Sequence, residues 1–401
     1  MDATRPSGSR ARLVPIDVLR GLVMVVMALD HVRDFVHAGA MAFSPEDLTR
    51  TTPALFFTRW VTHVCAPAFV FLAGVSAWLK LQRDGSRRHL AGFLASRGLW
   101  LIVAEVVILR FALNFRLLGP DPVLLLVLWA IGVSMIVLAG LIFLPARLVT
   151  GLGVAIVVLH NCLDGVGASD LGALAPVWTV LHQQGAIALA GTVIVVGYPV
   201  LPWIGLMAVG FGAGSLFELD ARRRQRLFVG IGVTLSMAFF LLRWSNGYGD
   251  PQPWTSQETP LMTVASFLRT TKYPPSLLFL SMTMGPVLLA LAWFDRRQLA
   301  ATHPLAVVGR VPFFYYFTHF LLAHVVASCL VWARHGDARL AFLSGPFPSM
   351  GGSAAAFPAD FGLSLGAVYV VWVVVVVLTY PLCRWFDGVK RRRRSRWLSY
   401  L

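Results

Sequence analysis

The sequence predicts an all-α polytopic membrane protein, a bundle of about ten transmembrane helices with both termini in the cytoplasm. Three observations predict it. Of the 401 residues, 57% are hydrophobic and only 13% are charged, with a mean hydropathy of +0.71; a soluble domain carries about 25% charged residues. Apolar runs of about 20 residues, long enough to cross a bilayer, recur along the whole chain. Lys and Arg gather in alternate connections, as they do in short cytoplasmic loops.

The runs fall at 16–38, 59–80, 91–113, 122–144, 147–163, 192–215, 226–243, 276–294, 305–333 and 362–385. The first lacks a small-residue cleavage site and is long enough to span, so it reads as a helix and not as a signal peptide. The second opens RWVTHVCAPAFVFLAGVSAWL. There Pro67 and small residues such as Ala66, Gly74 and Ala77 permit close helix contact and irregular backbone. The third to fifth are plain apolar spans, and YPVLPWIG opens the sixth, with Trp203 between prolines. The seventh follows Arg222–Arg226, and the eighth follows Pro274–Pro275. The ninth reads VGRVPFFYYFTHFLLAHVV, and the tenth contains VVWVVVVVL, a lipid-facing β-branched helix.

Basic residues at Arg5, Arg10 and Arg12, at Lys80–Arg88, at Arg147, at Arg222–Arg226, at Arg296–Arg297 and at Lys390–Arg394 set the orientation. Residues 1–15 read as a cytoplasmic tail, 16–385 as one integral domain and 386–401 as a basic cytoplasmic tail. The stretches 39–58, 164–190, 244–275 and 335–361 are expected outside. The last of these contains LSGPFPSMGGSAAAFPAD, a loop low in charge. The net charge of +15 follows from these orientation signals and from contact with anionic lipid. The bilayer is the expected partner, and nucleic acid is not. Four cysteines, Cys65, Cys162, Cys329 and Cys383, show no paired spacing; three lie within or at the ends of apolar spans, so small buried thiols are expected.

Charges near lipid are expensive unless paired, so they mark a pathway or a site. Asp30, Arg33, Asp34 and His37 of the first span share one face at i, i+3, i+4, i+7, with His31 beside them. Arg59, Thr62 and His63 share a face at the start of the second. An interfacial salt-bridge ladder is the structural reading, and an acid–base and binding cluster is the functional one. Asp17 and Arg20 of IDVLRG form either an orientation anchor or a contact to the phosphates of a cytosolic donor. Trp203 is an interfacial aromatic or an aromatic at a sugar-like ligand, and Lys272 and Tyr273 beside the rigid Pro-Pro turn suit an anionic ligand. His319, with Tyr315 and Tyr316 one turn earlier, reads as a buried, satisfied histidine or a ligand contact. No Walker loop, GxGxxG, HExxH or GxSxG signature is present. Arg interleaved with the carboxylates argues against a metal there, so none is expected.

Read together, IDVLRG, DHVRDF, AFVFLAGVSAWL, LPWIGLMAVGFGAG, TKYPPSLLFLSMTMGP and VGRVPFFYYFTH resemble the heparan-α-glucosaminide N-acetyltransferase catalytic-domain family. The resemblance covers nearly the whole chain, and its first two spans are the most specific. It implies acetyl-CoA as co-substrate and transfer across the membrane to an amine or hydroxyl of a glycan or envelope acceptor. It also implies a bacterial inner-membrane location, with a homodimer left open. The lysosomal enzyme uses a loop histidine between these two spans; here the matching position is near Pro53, and the nearest histidines are His37 and His63. The expected base is therefore His63, then His31, with Asp30 orienting it. Arg33, Asp34, Arg59, Thr62, Trp203, Lys272, Tyr273 and His319 would bind substrate, and Asp17 and Arg20 would bind the donor. A proton or anion transporter and a non-catalytic assembly protein are the rival readings.

Overall fold

The structure, a computed structural model, describes residues 13–117, 119, 121–297, 299–337, 357–358, 360–393 and 398. Arg5, Arg10, Arg12, Arg394 and most of the 343–360 loop lie outside the described residues. Among the described residues, eight helices are long and apolar enough to cross a membrane. The bundle is built around a ninth, α1 (Val14–Val36), which is too charged to qualify on composition. It is buried along most of its length and packs against six other α-helices.

The second span is not one regular helix. α2 (Pro53–Trp60) passes through a 3₁₀ turn (Val61–Val64) into α3 (Cys65–Asp84). Pro67 has no N–H to return to the His63 carbonyl, so an α-helix loses a bond there and the backbone tightens. α4 (Arg87–Ala104) runs through a π turn (Glu105–Leu109) into α5 (Arg110–Asn114). The buried Glu105 carboxylate accepts from the N–H groups of Leu126 and Trp129, capping α6 (Val127–Leu141). These are the otherwise unsatisfied donors at a helix start.

Two expected spans begin as strand instead of helix. β1 (Val123–Leu125) pairs parallel with β3 (Thr192–Val196), and β2 (Gly185–Leu189) pairs antiparallel with β3. Ala190 and Gly191, both at positive φ (48° and 79°), close the two-residue β2–β3 hairpin, the turn geometry that matches strand twist. The small sheet corrects the expected spans 122–144 and 192–215 at their starts; their helical parts are α6 and α9 (Leu201–Ala213). α7 (Ala146–Leu159) precedes α8 (Ala175–Leu181) in the long loop. α10 (Ala221–Ser245) lies against α12 (Leu277–Arg297), with α11 (Pro260–Leu268) between them in sequence. The ninth span is two helices, α13 (Pro304–Arg310) and α14 (Pro312–His335). Pro312 forces Val311 out of helical geometry (φ −127°, ψ 49°). The chain's last described helix, α15 (Leu365–Arg392), exposes Val370, Val373, Val374 and Val377 as a lipid-facing stripe. Its other face bonds α1 through Trp372 Nε1 and the Val25 carbonyl (2.8 Å). Cys65 and Cys383 are buried and Cys162 and Cys329 exposed, all as free thiols.

α1 and α13 cross backbone to backbone. A Cβ on Gly21 would collide with the Leu305 carbonyl, and one on Gly309 with the Asp17 carbonyl. Gly309→Ala is therefore expected to destabilise the protein by about 1–3 kcal/mol through overpacking. Gly140→Ala in α6, where the added methyl meets nothing within 4 Å, is expected to be neutral or slightly stabilising. Thermal unfolding of the purified variants in detergent distinguishes the two; equal effects would remove the close-approach argument.

Candidate functional site

A cavity of about 1840 Å³ threads the bundle. At one end its wall carries Arg20, Lys80, Arg83, Arg97, Arg310 and Lys390. Its middle is apolar, with Met24, Met27, Phe69, Leu128, Ile131 and Met135. At the other end are Asp30, His31, Asp34, Arg59, Lys272 and Tyr273. Asp17, Arg33, Thr62 and Tyr198 also line it. The eleven helical steps of α1 from Arg20 to His31 separate the two ends by about 16 Å along the helix.

The basic end is built from helix termini. Arg310 of α13 forms a bidentate pair with Asp387 of α15 (2.8 and 2.6 Å), which Arg391 also contacts. Arg20 donates to the Leu72 carbonyl (3.1 Å) and to Ser76, tying α1 to α3, with Asp17 3.8 Å away. Arg97 lies over the Phe313 ring at 5.0 Å.

The opposite end is a charge-balanced network. Asp30 pairs with Arg33 (2.9 Å) on its own helix and with Arg59 of α2, and Arg33 also reaches Asp34 (2.5 Å). Arg59 in turn approaches Glu46 (3.8 Å) and the Tyr273 hydroxyl (3.5 Å), which lies 3.5 Å from that of Tyr198. Asp30, Arg33 and Arg59 are each at least nine-tenths buried. Arg33 and Arg59 thus pair with three carboxylates, Asp30, Asp34 and Glu46, and Lys272 acts on Glu46 from a longer range and makes the charges equal, as buried charge requires. Burial pushes the Glu46 carboxyl up, yet His63, Arg59 and Lys272 together hold it well below the usual carboxylate range. Burial likewise pushes the Tyr273 phenol up, but Lys272 and Arg59 bring it below its ordinary value. The 271–276 segment is held by Asp250, which accepts from Thr271 N (2.8 Å) and Ser276 Oγ (2.6 Å).

The histidines divide differently from the expectation. His63 Nε2 lies 2.7 Å from Glu46 and its ring packs on Phe279 (5.4 Å), off the cavity wall. The carboxylate on His63 is thus Glu46, and Asp30, expected to orient it, is engaged by the two arginines instead. The 3₁₀ turn explains the change: the three steps from Trp60 to His63, advancing about 120° each instead of 100°, turn His63 roughly 60° away from the face it would share with Arg59 on an α-helix. His37 accepts from Gly39 N (3.1 Å) and leaves the α1 charge face. Thr62 donates its hydroxyl to the Arg59 carbonyl (2.7 Å). Trp203 is fully buried and reaches the cavity only through Tyr198, whose ring is 5.6 Å from it.

His31 lines the cavity and is backed by a second histidine from α14. His319 Nδ1 is 2.8 Å from the Tyr315 carbonyl, and His319 Nε2 is 2.7 Å from His31 Nδ1. A carbonyl only accepts, so His319 donates through Nδ1 and its Nε2 carries the lone pair. His31 must then donate through Nδ1, which leaves the lone pair of neutral His31 on Nε2. Phe320 stacks on the His31 ring at 4.0 Å between centroids. This chain of fixed tautomers leaves His31 Nε2 with a free lone pair, able to accept a hydrogen bond.

Sequence reasoning missed Glu46. The signal available was charge count: Asp30 and Asp34 alone do not balance Arg33, Arg59 and Lys272, and Glu46 and Asp47 are the only carboxylates in the 39–58 stretch. Tyr198 and the His31–His319 contact were legible as residues but not as neighbours, the pair being 288 positions apart.

The family model for the catalytic region of heparan-alpha-glucosaminide N-acetyltransferase matches residues 12–245, more than half of the 401. No curated protein matches the chain. The matched stretch carries α1, the Asp30–Arg59 pair, His31, Glu46 and both cavity-lining faces of α3 and α4, while Lys272, Tyr273 and His319 complete the same cavity from beyond it. The chain therefore belongs to the heparan-alpha-glucosaminide N-acetyltransferase catalytic-domain family, a family of membrane acetyltransferases.

Proposed function

We propose that this protein takes an acetyl group from acetyl-CoA in the cytoplasm and delivers it to an amine or hydroxyl of a glycan or other envelope acceptor beyond the membrane. The observation that carries the reading is a single cavity with a basic mouth at one end and a base-bearing, charge-balanced pocket at the other. Short cytoplasmic loops are Arg-rich, which supports the basic mouth as the cytoplasmic one; a bacterial inner membrane is the setting we propose. Guanidinium groups there suit the phosphates of the donor. Phe93 and Phe313, beside Arg97, suit a flat base. Asp17 and Arg20 belong to this donor end, Arg20 holding α1 on α3 beneath it. The apolar middle suits the uncharged arm that carries the thioester.

At the far end His31 Nε2 takes the proton of the acceptor amine or hydroxyl as its lone pair attacks the thioester carbonyl carbon. His31 then becomes an imidazolium whose Nδ1 proton remains shared with His319. Lys272, cavity-lining and without an ion pair within 4 Å among the described residues, is the donor for the developing oxyanion. Collapse breaks the carbon–sulfur bond, and the imidazolium proton passes to the departing CoA thiolate. Tyr273, Tyr198 and Asp34 contact the acceptor; Arg33, Arg59 and Asp30 hold the pocket in shape. His63 acts through Glu46, fixing the loop over the pocket, and is a positioning residue. Transport is the weaker reading, because the family is one of acetyltransferases.

Purified protein given labelled acetyl-CoA and an amino sugar is expected to form the N-acetyl product. His31→Gln, whose amide can still donate to His319, is expected to lower kcat by about 10²–10⁴-fold without changing acetyl-CoA binding. His63→Gln, which can still bond Glu46, is expected to keep most of kcat. The reverse ranking would return the base to His63. Arg97→Gln is expected to raise the KM for acetyl-CoA by about tenfold, the loss of one charge-assisted hydrogen bond, with kcat nearly unchanged. Proton-coupled flux of a small molecule without acetyl transfer would replace this reading with the transporter.

A further inference from the structure

Away from the cavity network, at the end of α7, His160, Asp164 and His182 meet. We propose that these three side chains form a zinc site that ties the 164–190 loop to the ends of α7 and α12. His160 Nδ1 lies 3.1 Å from His182 Nε2, and that nitrogen lies 3.8 Å from Asp164 Oδ1. Zinc bonds of about 2.0–2.2 Å to nitrogen and oxygen, spread tetrahedrally, place neighbouring ligand atoms about 3.3–3.6 Å apart. These two spacings bracket that value, and all three ligand atoms lie within 4.8 Å of one another. Each of the three atoms can present a lone pair to the point between them, and the two rings lie close enough that only one proton fits between their nitrogens.

The surroundings fit a cation. Between residues 148 and 221 the chain has no Lys or Arg, so none of the competition that argues against a metal at the Asp30–Arg59 network comes from this stretch. His160 and His182 are buried, at 2% and 4% exposure, while the Asp164 side chain is 21% exposed and leaves a way in. The carboxylate is pre-set by Asn161, whose Nδ2 donates to Asp164 Oδ2 (2.8 Å). The orientation of that amide is fixed in turn, because its Oδ1 accepts from Leu277 N (2.9 Å) at the start of α12. Oδ1 of Asp164 is thereby turned to the histidines. Outer partners of this kind fix metal ligands in place. With two nitrogens and one carboxylate oxygen, the set matches a zinc ion that keeps a fourth position for water.

The site would act on the pocket through the chain. Gln184, two residues past His182, lines the cavity, and Leu277 follows closely on Lys272 and Tyr273. Zinc there would hold the loop and the Lys272–Tyr273 segment in register.

The full-length protein, purified on a tag without histidines, stripped with chelator and dialysed against zinc, is expected to hold one zinc per chain by elemental analysis. Cobalt in its place is expected to give the visible ligand-field bands of a four-coordinate site. Asp164→Asn, at an exposed position that tolerates the change, and His182→Asn are each expected to lose stoichiometric zinc. Asn161→Ala is expected to weaken zinc binding about 10–100-fold. Zinc is expected to raise the melting temperature of the wild type but not that of Asp164→Asn. Should His182→Asn fail to fold, Asp164→Asn and the cobalt spectrum decide. Wild type that holds no stoichiometric zinc, or Asp164→Asn that holds as much, would reduce the cluster to a histidine–histidine hydrogen bond.

Discussion

The ion pair between Asp30 of α1 and Arg59 of α2 is the constraint around which the rest is arranged. Leaving either partner buried alone would be strongly destabilising, on the order of 3–5 kcal/mol. The pair therefore fixes where α2 meets α1 and demands that the remaining charges balance. Arg33 shares the Asp30 carboxylate and needs Asp34; Arg59 has donors left over and draws in Glu46 and Tyr273. Glu46 then holds His63, and the 39–58 loop is drawn against the bundle. A network of this sort is poor evidence of stability, since apolar packing of equal volume would serve as well. Its retention fits a polar pocket that must stay open and in one shape.

Irregular backbone serves the same end. Three departures from a straight span lie at the cavity wall: the 3₁₀ turn at Val61–Val64 through Thr62, the strand β1 through Leu124, and the break at Val311 through Arg310 and Pro312. Unsatisfied backbone groups are tolerated at membrane depth only inside protein or along a polar cavity. Glu105 shows how it is done, one carboxylate satisfying the first donors of α6. The outward face of α15, by contrast, is regular and β-branched and carries no chemistry.

Eight of the ten apolar runs contain a helix long and apolar enough to cross a membrane, because composition and run length report the bilayer directly; α1 is too charged to qualify and α6 too short. The starts of two were misread, since a short β-branched run such as TVIVV satisfies strand and helix alike until its partner strand is known. The charged ends of the first two spans were legible as a site, and Asp30, Arg33 and Arg59 do meet. What sequence could not supply was the rotation that the 3₁₀ turn imposes on His63, or the loop carboxylate that comes to it. Nor could it pair His31 with His319, since nothing local records a contact made across the bundle. The His160–Asp164–His182 group escaped notice for the same reason, its members arriving from a helix end and a loop.

The central claim is that one cavity joins two faces of the membrane, with a donor mouth and an acceptor pocket on opposite sides. Sealed vesicles carrying the oriented protein test it directly, with labelled acetyl-CoA supplied only at the basic face and an amino sugar only at the other. The account predicts acetylated sugar on the acceptor side, with CoA left on the donor side and no intact acetyl-CoA crossing. Product formed only when both substrates share one face, or acetyl-CoA recovered intact on the far side, would contradict it.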